Sequence, residues 1–276
     1  ITKSPIIAKG TPKDKIKISG IEFKNKENKQ ETSTDKDIKN IISGSGQCII
    51  ILQSNEFSIF EHVEFNNLRN CEKGQIHSEG ALNVYKSKIK MNNISFSNNQ
   101  YGDDGINLIN TQFDLNNINL KNIYADGIDL DYSYGIIKNF NCQNCLNDGI
   151  DISNTTLRLE NFEADKISDK AISIGENSIF EAINLNINDA YVGLAVKDGS
   201  IAKFENLKIS NSKYPITSYV KKDEFGMPEL TIVNLKLDSN IHPILIEKGS
   251  TYKSINNEYE KIDVFNLFET LYPNAE

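Results

Sequence analysis

Asp126-Gly127-Ile128-Asp129-Leu130 recurs as Asp148-Gly149-Ile150-Asp151-Ile152 and, one step earlier, as Asp104-Gly105-Ile106-Asn107-Leu108, each copy 22 residues from the last. The same step continues onto Lys170-Ala171-Ile172-Ser173-Ile174, Val192-Gly193-Leu194-Ala195-Val196 and Tyr214-Pro215-Ile216-Thr217-Ser218, so six registers follow without a slipped residue. A fixed short period means stacked units that bury their apolar faces against one another. Each unit alternates by two rather than at helical spacing. The sequence therefore predicts an all-β chain, a right-handed parallel β-helix solenoid with coils of about 22 residues.

Within a coil the apolar positions follow one template, as in Leu115, Ile118, Leu120, Ile123 and again in Leu159, Phe162, Ala164, Ile167. Steps of two keep side chains on one face of a strand, and steps of three mark corners. Like residues are expected to stack about 4.8 Å apart in inward ladders such as Ile118, Phe140, Phe162, Leu185, Leu207. Cys142 and Cys145 take the inward places of Leu120 and Ile123, so they are expected as buried apolar thiols. Cys48 and Cys71 lie far from them in the chain, and neither a zinc site nor a disulfide staple is expected.

The period breaks near residues 24–46, 69–80 and 220–229, the last containing Gly226-Met227-Pro228; these are read as insertions projecting from the coils. Residues 1–249 are read as the solenoid and 250–276 as a C-terminal tail. In that tail Asp263 is expected to cap a short helix whose Val264, Leu267, Phe268 and Leu271 share a face, with Pro273 past its end, covering the last coil's open edge.

Composition excludes some functions. The formal charge is -8, and Arg69 and Arg158 are the only guanidinium groups, which argues against nucleic acid as a partner. No apolar run approaches the roughly 18 to 20 residues that cross a bilayer. The chain begins at Ile1 with a coil almost at once, and is expected to be part of a longer polypeptide. Its abundance of Asn, Lys and Ile is read as compositional bias without functional weight.

The outward positions carry the chemistry. Asn107, Asp129 and Asp151 form one ladder, with Asp131 and Ser153 two residues on; Asp104, Asp126 and Asp148 stack at the turn, with Asp103 alongside. Like charges about 5 Å apart repel by about 0.8 kcal/mol even in water, so something must compensate. In one reading Asp accepts local N–H bonds, Gly takes a positive φ and the strand Asp residues are solvated edge charges, so the motif is turn chemistry. In another, Asp126, Asp129, Asp148 and Asp151 hold a hard cation such as Ca²⁺. In a third the same four carboxylates, with Lys170 at the ladder's end, are catalytic. One coil matches the roughly 5 to 5.5 Å carboxyl separation of retaining glycoside hydrolysis, and two coils the roughly 6.5 to 9.5 Å of inverting hydrolysis. Tyr132 and Tyr134 are candidate stacking platforms for sugars.

Tyr124-Ala125-Asp126-Gly127-Ile128-Asp129 resembles the Asn-Thr-Asp stretch of polygalacturonases, with Asp148 one coil later, although that family's Gly-His-Gly and Arg-Ile-Lys motifs are absent. The pattern is similar to the pectate-lyase-like β-helix superfold, whose members cleave or epimerise polysaccharides. Gly80-Ala81-Leu82-Asn83-Val84, the twin Asp-Gly-Ile-Asp turns, Asp169 to Ser178 and the Lys222 to Pro228 loop resemble the β-helix regions of bacterial proteins related to the spore-coat protein H kinase-like family. That resemblance implies an exported or cell-surface module, and no kinase. The leading expectation is a non-enzymatic module presenting an elongated face to polysaccharide or a surface protein. The alternative is a hydrolase, lyase or epimerase of uronate-type polymers.

Overall fold

The computed structural model describes residues 1–20, 48–73, 75–256 and 258–273, so the expected insertion at 24–46 lies outside the described residues. Among the described residues nineteen strands form one continuous sheet with parallel neighbours. Each coil pairs with the coil one period on. Strand Gln112–Ile123 lies between Lys88–Ser97 and Tyr134–Cys145, and Asp126–Asp131 between Asp104–Ile109 and Ile150–Ser153. The chain is thus an all-β parallel solenoid. Its expected core ladder is present: Ile118, Phe140, Phe162, Leu185 and Leu207 are register partners and all buried. No helix of the described residues is long and apolar enough to cross a membrane.

The corners explain much of the composition. At each step of three one residue takes a left-handed φ, as at Asn117 and Asn122 in one coil and Asn139 and Asn144 in the next. Asn tolerates this conformation better than other L-residues because its amide bonds locally. Here those amides also bond between coils: Asn161, Asn184, Asn206, Asn234 and Asn256 each donate to the Asn one coil earlier, at 2.8 to 3.1 Å. A third corner is held by buried hydroxyls, where Thr111, Ser133, Thr155 and Ser178 accept or pass on N–H to Oγ bonds along the stack. The Asn-rich composition therefore has a structural cause.

Three local expectations are corrected. Cys142 and Cys145 point inward and are fully buried, but they are joined as a disulfide, as are Cys48 and Cys71. Cys48 and Cys71 are 23 residues apart, one period, so the winding brings together what looks remote in sequence. Between Cys142 and Cys145, Asn144 turns the chain through a left-handed φ and lets two inward side chains meet. Secondly, Asp263 caps no helix, because Lys261–Val264 is a strand paired with Ile244–Glu247. The C-terminal helix is Leu267–Leu271 and starts after Asn266. It lies on the outer side of the sheet over Val192, Ala195, Tyr214, Tyr219 and Leu245 rather than on the last coil's open edge. Thirdly, Gly105, Gly127 and Gly149 take no left-handed φ. They are small because coils approach closely: a Cβ on Gly127 would sit 2.5 Å from the carbonyl oxygen of Gly149.

The remaining breaks in period are modest. Residues 69–80 contain an antiparallel pair, Glu72–Lys73 with Ile76–His77. Val220 to Pro228 forms a loop with a single 3-10 turn at Asp223–Phe225.

Candidate functional site

One lateral face of the solenoid carries the acidic residues, and parallel pairing fixes their order. Asn107, Asp129, Asp151 and Ser173 are successive register partners along one outward row. In the row before it Asp126 is paired with Asp104. Asp148 follows in that row, its N–H donating to Asp126 Oδ1 at 2.7 Å, and Lys170 donates its own N–H to Asp148 Oδ1 at 2.9 Å. Asp126 and Asp148 therefore accept backbone donors from the next coil rather than from their own turn, whereas Asp104 accepts the side-chain amide of Asn107 in its own coil. Asp131 stands beyond, beside Ile109 and Ser153.

This face is not a solvated edge. Asp104, Asp126 and Asp148 are buried, Asn107 and Ser173 have no exposed surface, and Asp129, Asp131 and Asp151 are half-buried. Among the described residues no hydrogen bond or ion pair holds the side chains of Asp129, Asp131 or Asp151. At either end of their row, Asn107 Oδ1 and Ser173 Oγ are buried without a partner. Burying Asp104, Asp126, Asp129, Asp131 and Asp148 with so few donors disfavours their ionised forms.

The carboxyls respond accordingly. Burial, with repulsion from Asp104, Asp131, Asp151 and Asp126, pushes Asp129 up to about 10. Burial and Asp148 push Asp126 up to about 8. Asp104 rises to about 7 through burial, against the Asn107 amide that donates to it at 2.7 Å. Asp131 rises to about 6 through burial and Asp151. Asp148 rises to about 7 because burial outweighs the pull of Lys170.

Lys170 closes the acidic stretch. Its Nζ lies 3.2 Å from Asp148 Oδ1 and also pairs with Asp169, whose other oxygen accepts the Tyr272 hydroxyl at 2.8 Å. Burial works against the ammonium, but Asp148 and Asp169 more than offset it and hold its pKa above the ordinary lysine value. Lys170 is thus a fixed charge rather than a free base. Tyr191 adds a bond to the carbonyl of Leu271 at 2.9 Å, so the C-terminal helix is pinned over this end of the face.

Beyond Lys170 lies a basic wall that the sequence reading missed. Asp198 Oδ1 accepts the N–H groups of Lys221 and Lys222 at 2.6 and 2.8 Å, docking the 220–228 loop against the face. Lys222 pairs with Glu176, and Lys221 has its pKa lowered by burial and by Lys197 and Lys170. Glu176 and Asp198 are one period apart, a signal the 22-residue register held.

The structure thus brings Asp126, Asp129, Asp148, Asp151 and Lys170 together on one face. Tyr132 and Tyr134 stand apart, at the corner after Asp131, 59% and 55% exposed, and neither ring pairs with another among the described residues. For a cation, the oxygen donors of Asp126, Asp129, Asp148 and Asp151 are of the right hardness. Among the described residues, however, no three His, Cys, Asp or Glu side chains converge as a metal site requires. No family model, no curated protein and no solved structure matches the chain.

Proposed function

We propose that the acidic face is the acid–base centre of a polysaccharide-active enzyme, with Asp129 as proton donor and Asp151 as its partner. The observation that carries this reading is a stack of buried and half-buried carboxyls on an outward face, in which Asp129 faces Asp151 in register and is pushed up to about 10. Perturbed carboxyls of this kind cluster at catalytic sites. A carboxyl that keeps its proton at neutral pH is what protonation of a glycosidic oxygen needs. Adjacent rungs stand about 4.8 Å apart, near the separation used in retaining hydrolysis.

In that reaction Asp129 gives its proton to the leaving oxygen while the Asp151 carboxylate bonds to the anomeric carbon. Water then displaces Asp151 and returns a proton to Asp129. Lys170, held by Asp148 and Asp169, closes the end of the acidic face as a paired charge and is not assigned the role of a lyase base. Two disulfides favour an oxidising compartment, in keeping with an exported or surface protein.

The test is release of reducing ends from pectin, polygalacturonate, alginate, xylan and neutral β-glucans. Wild type should cleave at least one, and Asp129→Asn and Asp151→Asn should each lower the rate about 10²- to 10⁴-fold with the fold intact. Folded wild type inert on the whole panel would refute the enzyme reading. It would return the molecule to a binding module.

A further inference from the structure

Immediately upstream of the Asp-Gly turns, the corner of the solenoid carries an exposed aromatic pair. Tyr101 and Tyr124 are 45% and 48% exposed, their ring centroids are 5.4 Å apart, and Leu146, 53% exposed, follows one coil after Tyr124. Water-exposed rings of this size do not arise from the coil template, which puts Asp or Asn at the corner next to them. They are held in place from beneath. Buried Asn99 accepts the Tyr124 N–H at 2.5 Å and donates to the carbonyls of Tyr101 and Asp104, so one amide ties two coils together under both rings. The guanidinium of buried Arg69 stands 6.0 Å from the Tyr101 centroid and supports that ring.

The cleft around them is open, about 340 Å³, and its lining adds Gln100, Asn122 and Asn144 to the two tyrosines and Leu146. That volume is within the range of small-ligand sites. None of its lining residues is charged. Its amides include Gln100, which is exposed, and Asn144, which donates to Asn122, is followed in its row by Lys166, and accepts no hydrogen bond at Oδ1 among the described residues. Aromatic faces beside amides fit one chemistry well, the sugar ring, which offers C–H groups on its faces and hydroxyls at its edges.

We infer that Tyr101 and Tyr124 form a binding subsite for uncharged sugar residues of a glycan, separate from the carboxylate row. The lack of lining charge selects neutral sugars over uronates. The two rings, one coil apart and 5.4 Å between centroids, together make one aromatic platform for a sugar residue. Binding here needs no proton transfer and so stands whether or not the acidic face is catalytic.

The test is titration of the folded protein with cellohexaose, xylohexaose and mannohexaose, with trigalacturonate as a charged comparison, read by calorimetry. At least one uncharged hexaose should bind. Tyr101→Ala and Tyr124→Ala should each weaken it about tenfold, and the pair together should abolish it. Tyr101→Phe with Tyr124→Phe should retain affinity within about threefold, since the ring face rather than the hydroxyl makes the contact. Asp129→Asn with Asp151→Asn should leave binding unchanged, which separates this site from the acid–base reading. Both tyrosines are exposed, so thermal melts should confirm that the alanine variants fold. No binding of any uncharged hexaose, binding indifferent to the double alanine variant, or a preference for trigalacturonate would each overturn the inference.

Discussion

Gly127 and Asp129 sit two residues apart on one strand yet answer to different constraints. Gly127 faces inward toward the next coil, where a Cβ would meet the Gly149 carbonyl oxygen at 2.5 Å and Cys142 Sγ at 3.0 Å. Backbone on one side and a buried disulfide sulfur on the other leave no flexible group to yield. Gly127→Ala should therefore cost about 1 to 3 kcal/mol, the usual penalty of overpacking, in a denaturant melt. A cost near zero would mean that the coils stand further apart than described. Asp129 faces outward, and its constraint is electrostatic. Its carboxyl is half-buried, among Asp104, Asp126, Asp131 and Asp151, with no donor to stabilise its charge.

At the level of the coil, the strands and corners divide the work. The strands were legible from alternation, because inward residues must be apolar whatever the coil's function, and the ladder from Ile118 to Leu207 follows directly from the period. The Asn corners were also in the sequence but unread, since Asn117 and Asn122 fill steps of three that mark a bend without naming the residue that makes it. Asn161 shows what they do: φ is 60°, its Nδ2 donates to Asn139, and its Oδ1 accepts from Asn184. Asn161→Ala loses both amide bonds and places a Cβ-bearing residue without side-chain compensation in the left-handed region, whereas Asn161→Gly loses the bonds alone. Alanine should thus destabilise more than glycine, by about 1 kcal/mol, in paired thermal melts. Equal losses would show that only the amide row matters. The Cys142–Cys145 disulfide was not legible because it depends on the left-handed turn at Asn144, and Cys48–Cys71 because the regular period does not reach that part of the sequence; the helix was misplaced because an α-helical face does not say which surface it will cover. The acidic row was found, but its burial was not: sequence placed Asp129 and Asp151 outward, and only the packed face shows that outward here does not mean solvated.

Across the whole molecule, the buried carboxyls set how stability depends on pH. In the unfolded chain these aspartates titrate near 3.9, whereas in the fold Asp131, Asp104, Asp148, Asp126 and Asp129 are raised to between about 6 and about 10. Between roughly pH 4 and pH 8 the folded state therefore binds more protons than the unfolded state, so stability falls as pH rises. Lys170, raised rather than lowered, contributes no opposing change in that window. The melting temperature should be higher at pH 5 than at pH 8, and Asp129→Asn should raise it at pH 8 while changing it little at pH 5. A melting temperature that climbs from pH 5 to pH 8 would mean the carboxyls are satisfied as anions. The measurement that bears most directly on the acid–base account is an NMR titration of the Asp129 side-chain carboxyl carbon in the intact protein. The account predicts a carboxyl still protonated at pH 7, with a midpoint several units above that of an exposed aspartate and lowered when Asp151 is replaced by Asn. A midpoint near 4, unmoved by Asp151→Asn, would contradict it.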